Sequence, residues 1–177
     1  MIGPSSHAPG ATASSGRRER RGRGVDDRNA DLSLICRVQA RLCALPLTHV
    51  VETMRALQVE AVAGAPHFVR GLAVIRGVPV PVVDAARLLG AQDAPADRFV
   101  TITAGERRVA LAVDSVLGVR AVPAGSLHQL PPLLHEAGAD VVAAIGLLDA
   151  ELLLVLHSTC LLPDDAWAGG EAPGAAA

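Results

Sequence analysis

The 177-residue chain contains no lysine and no tyrosine, and its only aromatic side chains are Phe68, Phe99 and Trp167. The absence of lysine, beside abundant Ala, Val, Leu and Arg, is a bias of the whole composition and carries no functional weight by itself. Long apolar runs are missing too. The longest candidate, Val141–Leu148, is far short of the ~18–20 residues that span a bilayer as a helix, which excludes a transmembrane helix. Residues 1–31 have no apolar stretch, so the pairs Arg17-Arg18 and Arg20-Arg21 do not make a secretory or twin-arginine signal. The three cysteines, Cys36, Cys43 and Cys160, form neither a CxxC pair nor an even disulfide framework, which fits a reduced, intracellular setting.

What is present is apolar bulk: hydrophobic residues make up 50% of the sequence. A body of about 150 residues buries roughly 68–70% of its unfolded surface, enough to fold without a disulfide or metal. The formal net charge is −2, unevenly placed. Residues 1–31 hold six arginines against four acids, so the body is mildly acidic and does not suit a polyanion.

Ser, Gly, Pro and Arg dominate residues 1–31, where no periodic apolar pattern offsets the entropy of ordering, and a disordered tail is expected there. A translation start as late as Val25 would remove most of it. The other end, 167–177, closes in a Gly-, Ala- and Pro-rich run from Gly169 and reads as a second tail. Between them, β-branched runs alternate with turn signals. Strands are expected at Ser33–Val38, Arg41–Leu47, Leu57–Ala61, Leu72–Arg76, Val78–Val83, Phe99–Thr103, Arg107–Val113, Arg120–Val122, Val141–Leu148 and Leu152–Leu156. So many short strands indicate an all-β fold of barrels. Asp84 is placed to cap one short helix, Ala85–Leu89, stopped by Gly90.

Residues 71–89 and 146–162 look like two copies of one unit. Each starts at a glycine (Gly71, Gly146), turns at Arg76-Gly77 or Asp149-Ala150, and ends in a polar residue (Asp84, His157) followed by a Leu pair. Matching the glycines makes the second hairpin two residues shorter. Such duplication suggests two similar lobes. Pro79 and Pro81 lie two apart, so both missing N–H groups face one edge of their strand, and the strand is not expected to be central on that side.

Catalysis requires converging acids, bases, nucleophiles or metal ligands. None is visible: the six histidines are scattered, and no GxSxG elbow, phosphate loop or GxGxxG follows a strand. The thiols leave one enzymatic alternative open, a small thiol-dependent enzyme or redox protein using Cys43 or Cys160; against it stands the ordinary behaviour of a buried cysteine as a small hydrophobe. The Arg-rich segment 17–28 could bind RNA or DNA only by charge, since it has no aromatic residue and Glu19, Asp26 and Asp27 dilute it; a solvated tail is the reading preferred. Arg76, in a hairpin turn, can extend its guanidinium to Glu52 or to a partner's carboxylate.

The run from Pro66 to Gly90, with Arg76-Gly77, Pro81-Val-Val-Asp84 and the following Leu pair, resembles the CheW-like domain of bacterial chemotaxis coupling proteins. Leu47–Met54, Arg108–Val119 and Ala144–Leu162 extend the resemblance in register. Where the family usually has Asn two residues before the Arg, this chain has Val74; where it usually has Asp at the end of the last hairpin, this chain has His157.

The resemblance implies two five-stranded SH3-like barrel lobes around a shared core, within a domain at 32–166. It implies no catalysis and no cofactor. The implied role is a cytoplasmic adaptor, recruited to receptor arrays at the inner membrane without inserting into it. One lobe would pair with the homologous barrel of a CheA-type sensor histidine kinase. A groove between the lobes would take a chemoreceptor's helical cytoplasmic tip, bordered by Val50, Glu52, Arg76 and Gly77.

Overall fold

The computed structural model describes residues 32–92, 95–104, 106–131 and 141–157. Ten strands run in order: β1 (Leu32–Val38), β2 (Arg41–Pro46), β3 (Val50–Arg55), β4 (Val69–Ile75), β5 (Val78–Asp84), β6 (Arg98–Ala104), β7 (Arg107–Val113), β8 (Ser115–Ala121), β9 (Val142–Leu148) and β10 (Glu151–Leu156). One short helix, α1 (Ala85–Leu88), follows β5. The strands form two five-stranded sheets, ordered β3-β6-β7-β5-β4 and β8-β1-β2-β10-β9. The first, the central lobe, is continuous in sequence. The second, the terminal lobe, combines the first two strands of the described chain with its last three.

The two lobes share one topology. In each, an edge hairpin (β4–β5, β9–β10) lays its second strand parallel on a second hairpin (β6–β7, β1–β2), whose first strand pairs with a lone edge strand (β3, β8). Counting from the two-residue turns, where Ile75 faces Val78 and Leu148 faces Glu151, Asp84 matches His157. The equivalence extends into the loops. Leu72 and Ile145 occupy matching places, and each is bridged by a residue from the preceding loop, Glu60 and His128. Asp84 donates its backbone N–H to the Phe68 carbonyl, and His157 donates its own to that of Val141.

The duplicated unit is therefore real, but its expected glycine match is not. The hairpins are equally long around their turns, and Gly71 corresponds to Ala144. Gly71 has a separate reason to be glycine. It sits at a bulge of β4 with φ of 140°, and a Cβ there would lie 1.9 Å from the Glu60 carbonyl oxygen.

Three apolar clusters explain why several strands read as nearly continuous hydrophobic runs. Ala73, Ile75, Val80, Val82 and Phe99 fill the central lobe. Ile35, Leu42, Ala44, Leu153 and Val155 fill the terminal lobe. Leu34, Cys36, Cys43 and Leu45 of one lobe meet Val100, Ile102, Val109 and Leu111 of the other in a shared core. β1, β2, β6 and β7 thus bury both faces, one inside their own lobe and one against the other.

The expected strand at Leu57–Ala61 does not form; only Glu60 makes an isolated bridge, and the strand lies earlier, at Val50–Arg55. Its burial alternates, with a bulge in the ladder between Val50 and Glu52, but an acid, Glu52, stands on the inner side and Val51 on the outer, so the polar/apolar pattern by which a strand is recognised is missing. The strand expected at Arg120–Val122 instead spans Ser115–Ala121 and has a matching bulge beside Gly118. β5 corrects the reading of its prolines. It lies inside its sheet, but the ladder to β7 begins only at Val82, beyond Pro79 and Pro81. In the terminal lobe, Leu152 and Leu154 stand at the proline positions, and the parallel ladder already starts at Leu153. The prolines push the pairing away from the hairpin tip.

Candidate partner-binding site

The hairpin β4–β5 ends in a two-residue turn with φ of 51° at Arg76 and 80° at Gly77, the pattern of a type I′ turn. Glycine accepts that conformation without strain, and its presence lets Arg76 take the first turn position at the tip. Glu52 lies on β3, opposite Thr101 of β6, whose hydroxyl donates to the Glu52 carbonyl at 3.1 Å. The expected pairing of Arg76 with Glu52 is realised. Arg76 Nε donates to Glu52 Oε1 at 2.9 Å and Nη2 donates to Oε2 at 2.6 Å, a bidentate fork. The Glu52 side chain is 20% exposed and that of Arg76 74%, so the pair clips the hairpin tip to the edge strand while leaving most of the guanidinium outside. The hydrogen bonds from Arg76 hold the Glu52 carboxyl below the ordinary carboxylate range, aided by the charges of Arg76 and Arg108.

Of the four residues expected at the partner surface, Glu52 and Arg76 are joined directly and Gly77 completes the turn that presents Arg76. Val50 starts β3 opposite Ile102 and packs half-buried against the shared core. Its neighbour Val51 is 42% exposed and was not expected at this surface; burial alternates along β3, with Val50, Glu52 and Met54 on the inner side and Val51 on the outer. The same hairpin exposes Leu72, Val74 and Val78, with Val74 67% exposed opposite Pro79. The matching hairpin exposes Leu147, 70%, opposite Leu152. Large apolar side chains presented in cross-strand pairs at the rim of both lobes have no role in either lobe's packing.

Behind the site, Asp84 anchors the hairpin. Its side chain accepts from the N–H groups of Ala86 and Arg87, capping α1, and pairs with Arg70 Nη2 at 2.6 Å while only 2% exposed. The helix ends where expected, with Gly90 at φ of 72°.

The thiol reading fails at Cys43. Cys36 and Cys43 face each other across β1–β2 inside the shared core, both free and buried. Burial pushes each thiol up to about 12, the reverse of what a nucleophile or redox cysteine requires. Cys160, with the second Leu pair, lies outside the described residues. Among the described residues no group of His, Cys, Asp or Glu is arranged to hold a metal ion, and no helix is long and apolar enough to cross a membrane.

Fold and site together have the features of a docking protein: two fused β lobes with apolar rims and a charged clip at one edge, around a core in which the thiols of Cys36 and Cys43 are buried. A family model described as the CheW-like domain matches residues 33–166. The chemotaxis protein CheW of Klebsiella aerogenes is 25% identical over 111 residues, covering 61% of this chain and 67% of that protein. FrzA of Myxococcus xanthus is 32% identical over 117 residues, covering 62% of this chain and 72% of that protein. The scaffolding protein TtCheW of Thermoanaerobacter tengcongensis has the same fold, with a TM-score of 0.65 at 19% identity over 72% of this chain and 89% of its own. The chain belongs to the CheW-like family. It is an adaptor of chemotaxis-type signalling and not an enzyme.

Proposed function

We propose that this adaptor joins a CheA-type sensor histidine kinase to chemoreceptors, working in the cytoplasm and held at the inner membrane only through the receptors. The observation that carries the reading is the clip at Val50, Glu52, Arg76 and Gly77. A bidentate ion pair fixes the hairpin tip against the free edge of β3 and leaves the guanidinium open to a second, external acceptor. A receptor helix laid in the groove between the lobes meets a preformed surface there, with Val51 as apolar contact and Arg76 as hydrogen-bond donor. The paired rims Val74/Pro79 and Leu147/Leu152 supply apolar area of the kind a barrel-to-barrel contact with the kinase buries. Weak contacts repeated across an array raise the effective concentration of every partner, so each need not be strong.

The test is pull-down and titration of the purified protein against the kinase regulatory domain and a receptor cytoplasmic fragment from the same organism. Wild-type protein is expected to retain both, and Arg76→Glu to lose receptor affinity by about tenfold or more while keeping the kinase and an unchanged unfolding midpoint. Folded protein that retains neither partner overturns the reading. Unfolding of Arg76→Glu would assign the clip a purely structural role.

A further inference from the structure

Arg108 of β7 stands on the same side of the central sheet as Glu52. Glu52 faces Thr101, Thr101 faces Ala110, and Arg108 lies two residues before Ala110. Because β7 runs parallel to β5, that step leads towards the hairpin tip that carries Arg76. Glu52 therefore has two arginines within electrostatic reach: Arg76 is bonded to it, and Arg108 adds its charge without a bond. Arg108 is exposed and makes no hydrogen bond or ion pair among the described residues; Glu106, two residues before it, does not pair with it. Arg76 also keeps a donor in reserve, since Glu52 takes only its Nε and Nη2 and leaves Nη1 unused. Two guanidinium groups and one carboxylate leave the cluster one positive charge in excess.

The terminal lobe shows what this position holds where it serves the fold alone. Ala110 and Ala44 face Val82 and Val155, which occupy matching places in the two edge hairpins, so Arg108 corresponds to Leu42. Leu42 pairs with Leu153 in the parallel ladder and is 3% exposed inside its lobe. The matching rung, Val80 with Arg108, does not form: Pro79 and Pro81 have no N–H to offer, and the ladder starts at Val82. The sheet is open at this point beside the tip, and the opening carries an arginine in place of a buried leucine.

We infer that Arg108 is a further binding residue of the partner site, and that an aspartate or glutamate carboxylate of the receptor bonds to Arg76 and Arg108 together, beside Glu52. The inference rests on the receptor reading given above and names one contact within it. The partner's carboxylate supplies the charge that the cluster lacks and accepts from the donors that Glu52 leaves unused. Arginine suits both places because its guanidinium stays charged and is weakly hydrated.

The experiment is titration of the full-length protein with the receptor cytoplasmic fragment at low and high salt. It compares wild type, Arg76→Glu, Arg108→Leu, Arg108→Gln and Arg55→Leu, and unfolding is measured on each. The two Arg108 variants remove the charge in different ways, so one that folds is enough. Each is expected to weaken binding about fivefold or more at low salt and less at high salt. Arg55→Leu removes the same charge from the far end of β3 and is expected to change affinity less than about twofold. Changing the acids of the fragment one at a time to their amides locates the contact: the amide that costs wild type most is expected to cost Arg108→Leu little. In the free protein at low salt, Arg108→Leu is expected to raise the pH at which Glu52 titrates; an unchanged titration separates Arg108 from the cluster and overturns the inference. If Arg76→Glu weakens binding and the Arg108 variants bind like wild type, this contact is overturned while the receptor reading stands. Equal losses in Arg108→Leu and Arg55→Leu would report net charge alone and also overturn it. If folded wild-type protein does not bind the fragment, the receptor reading falls and this one with it.

Discussion

At the hairpin tip of the central lobe stand Arg76 and Gly77; at the matching tip of the terminal lobe stand Asp149 and Ala150. Opposite Arg76 is Glu52 of β3, whereas the corresponding residue of β8 is Gly118. The turn, the bulge and the bridging loop residue recur in both lobes, but only in the central lobe does the tip residue itself pair with the lone edge strand; in the terminal lobe Glu151, beside the tip, pairs with Arg37 of β1. Duplication preserved what the backbone needs and let the side chains diverge, so a feature found in one copy alone marks function better than a feature found in both. By that rule the clip is the better candidate for binding, while the bulges at Val51 and Leu117 belong to the fold.

The comparison breaks most sharply at the residue that follows each edge hairpin. Asp84 is 1% exposed, caps α1 and pairs with Arg70; its counterpart His157 is exposed. Asp84→Ala removes the cap and leaves Arg70 without its carboxylate, an expected loss of about 3 kcal/mol. His157→Ala is expected to change stability by less than about 0.5 kcal/mol. Urea unfolding of the two variants checks this. Similar losses would mean that the lobes are anchored alike after all.

The turns differ by a smaller amount and in opposite directions. Ala150 is held at φ of 66°, where its Cβ is strained, while Gly77 occupies the same place at 80° without strain. Ala150→Gly is expected to stabilise the protein by about 0.5–1 kcal/mol and Gly77→Ala to destabilise it by about 1 kcal/mol. A thermal scan of both variants decides it. Two changes of the same sign would show that the tips do not share one conformation.

How far the sequence discloses this molecule follows from the same contrast. Strands that bury both faces, such as Arg107–Val113, announce themselves by unbroken apolar runs, and the Asp84 cap by its place before a short Ala- and Leu-containing segment. The hairpin turns are legible because Arg-Gly and Asp-Ala interrupt apolar runs. The edge strands β3 and β8 are not legible: in β3 the inner and outer positions hold Glu52 and Val51 against the usual polarity, and in β8 most residues are exposed, so no polar/apolar alternation marks either strand. The Glu52–Arg76 pair was foreseeable as one of two options for an arginine in a turn. That Val51 rather than Val50 faces outward was not, since it depends on a register that only the assembled sheet supplies.

The smallest effect concerns pH. Each lobe carries one exposed bidentate pair, Arg76 with Glu52 and Arg37 with Glu151 at 3.0 and 3.3 Å. In both, hydrogen bonds from the arginine are the main cause that lowers the glutamate below its ordinary value of 4.5. A carboxylate whose folded-state value lies below its unfolded one stabilises the protein above the unfolded value, and that contribution disappears as pH falls through the folded one. Glu52→Gln and Glu151→Gln are therefore expected to be slightly less stable than wild type at pH 7, and the gap is expected to close as pH drops below 4.5. Because both pairs are exposed, added salt should shrink the gap at neutral pH as well. If Glu52→Gln keeps its deficit at low pH, the loss comes from packing of the side chain at the hairpin tip and not from its charge. The clip would then be a steric latch, and Arg76 would be free to leave Glu52 for a partner's carboxylate at little cost to the fold.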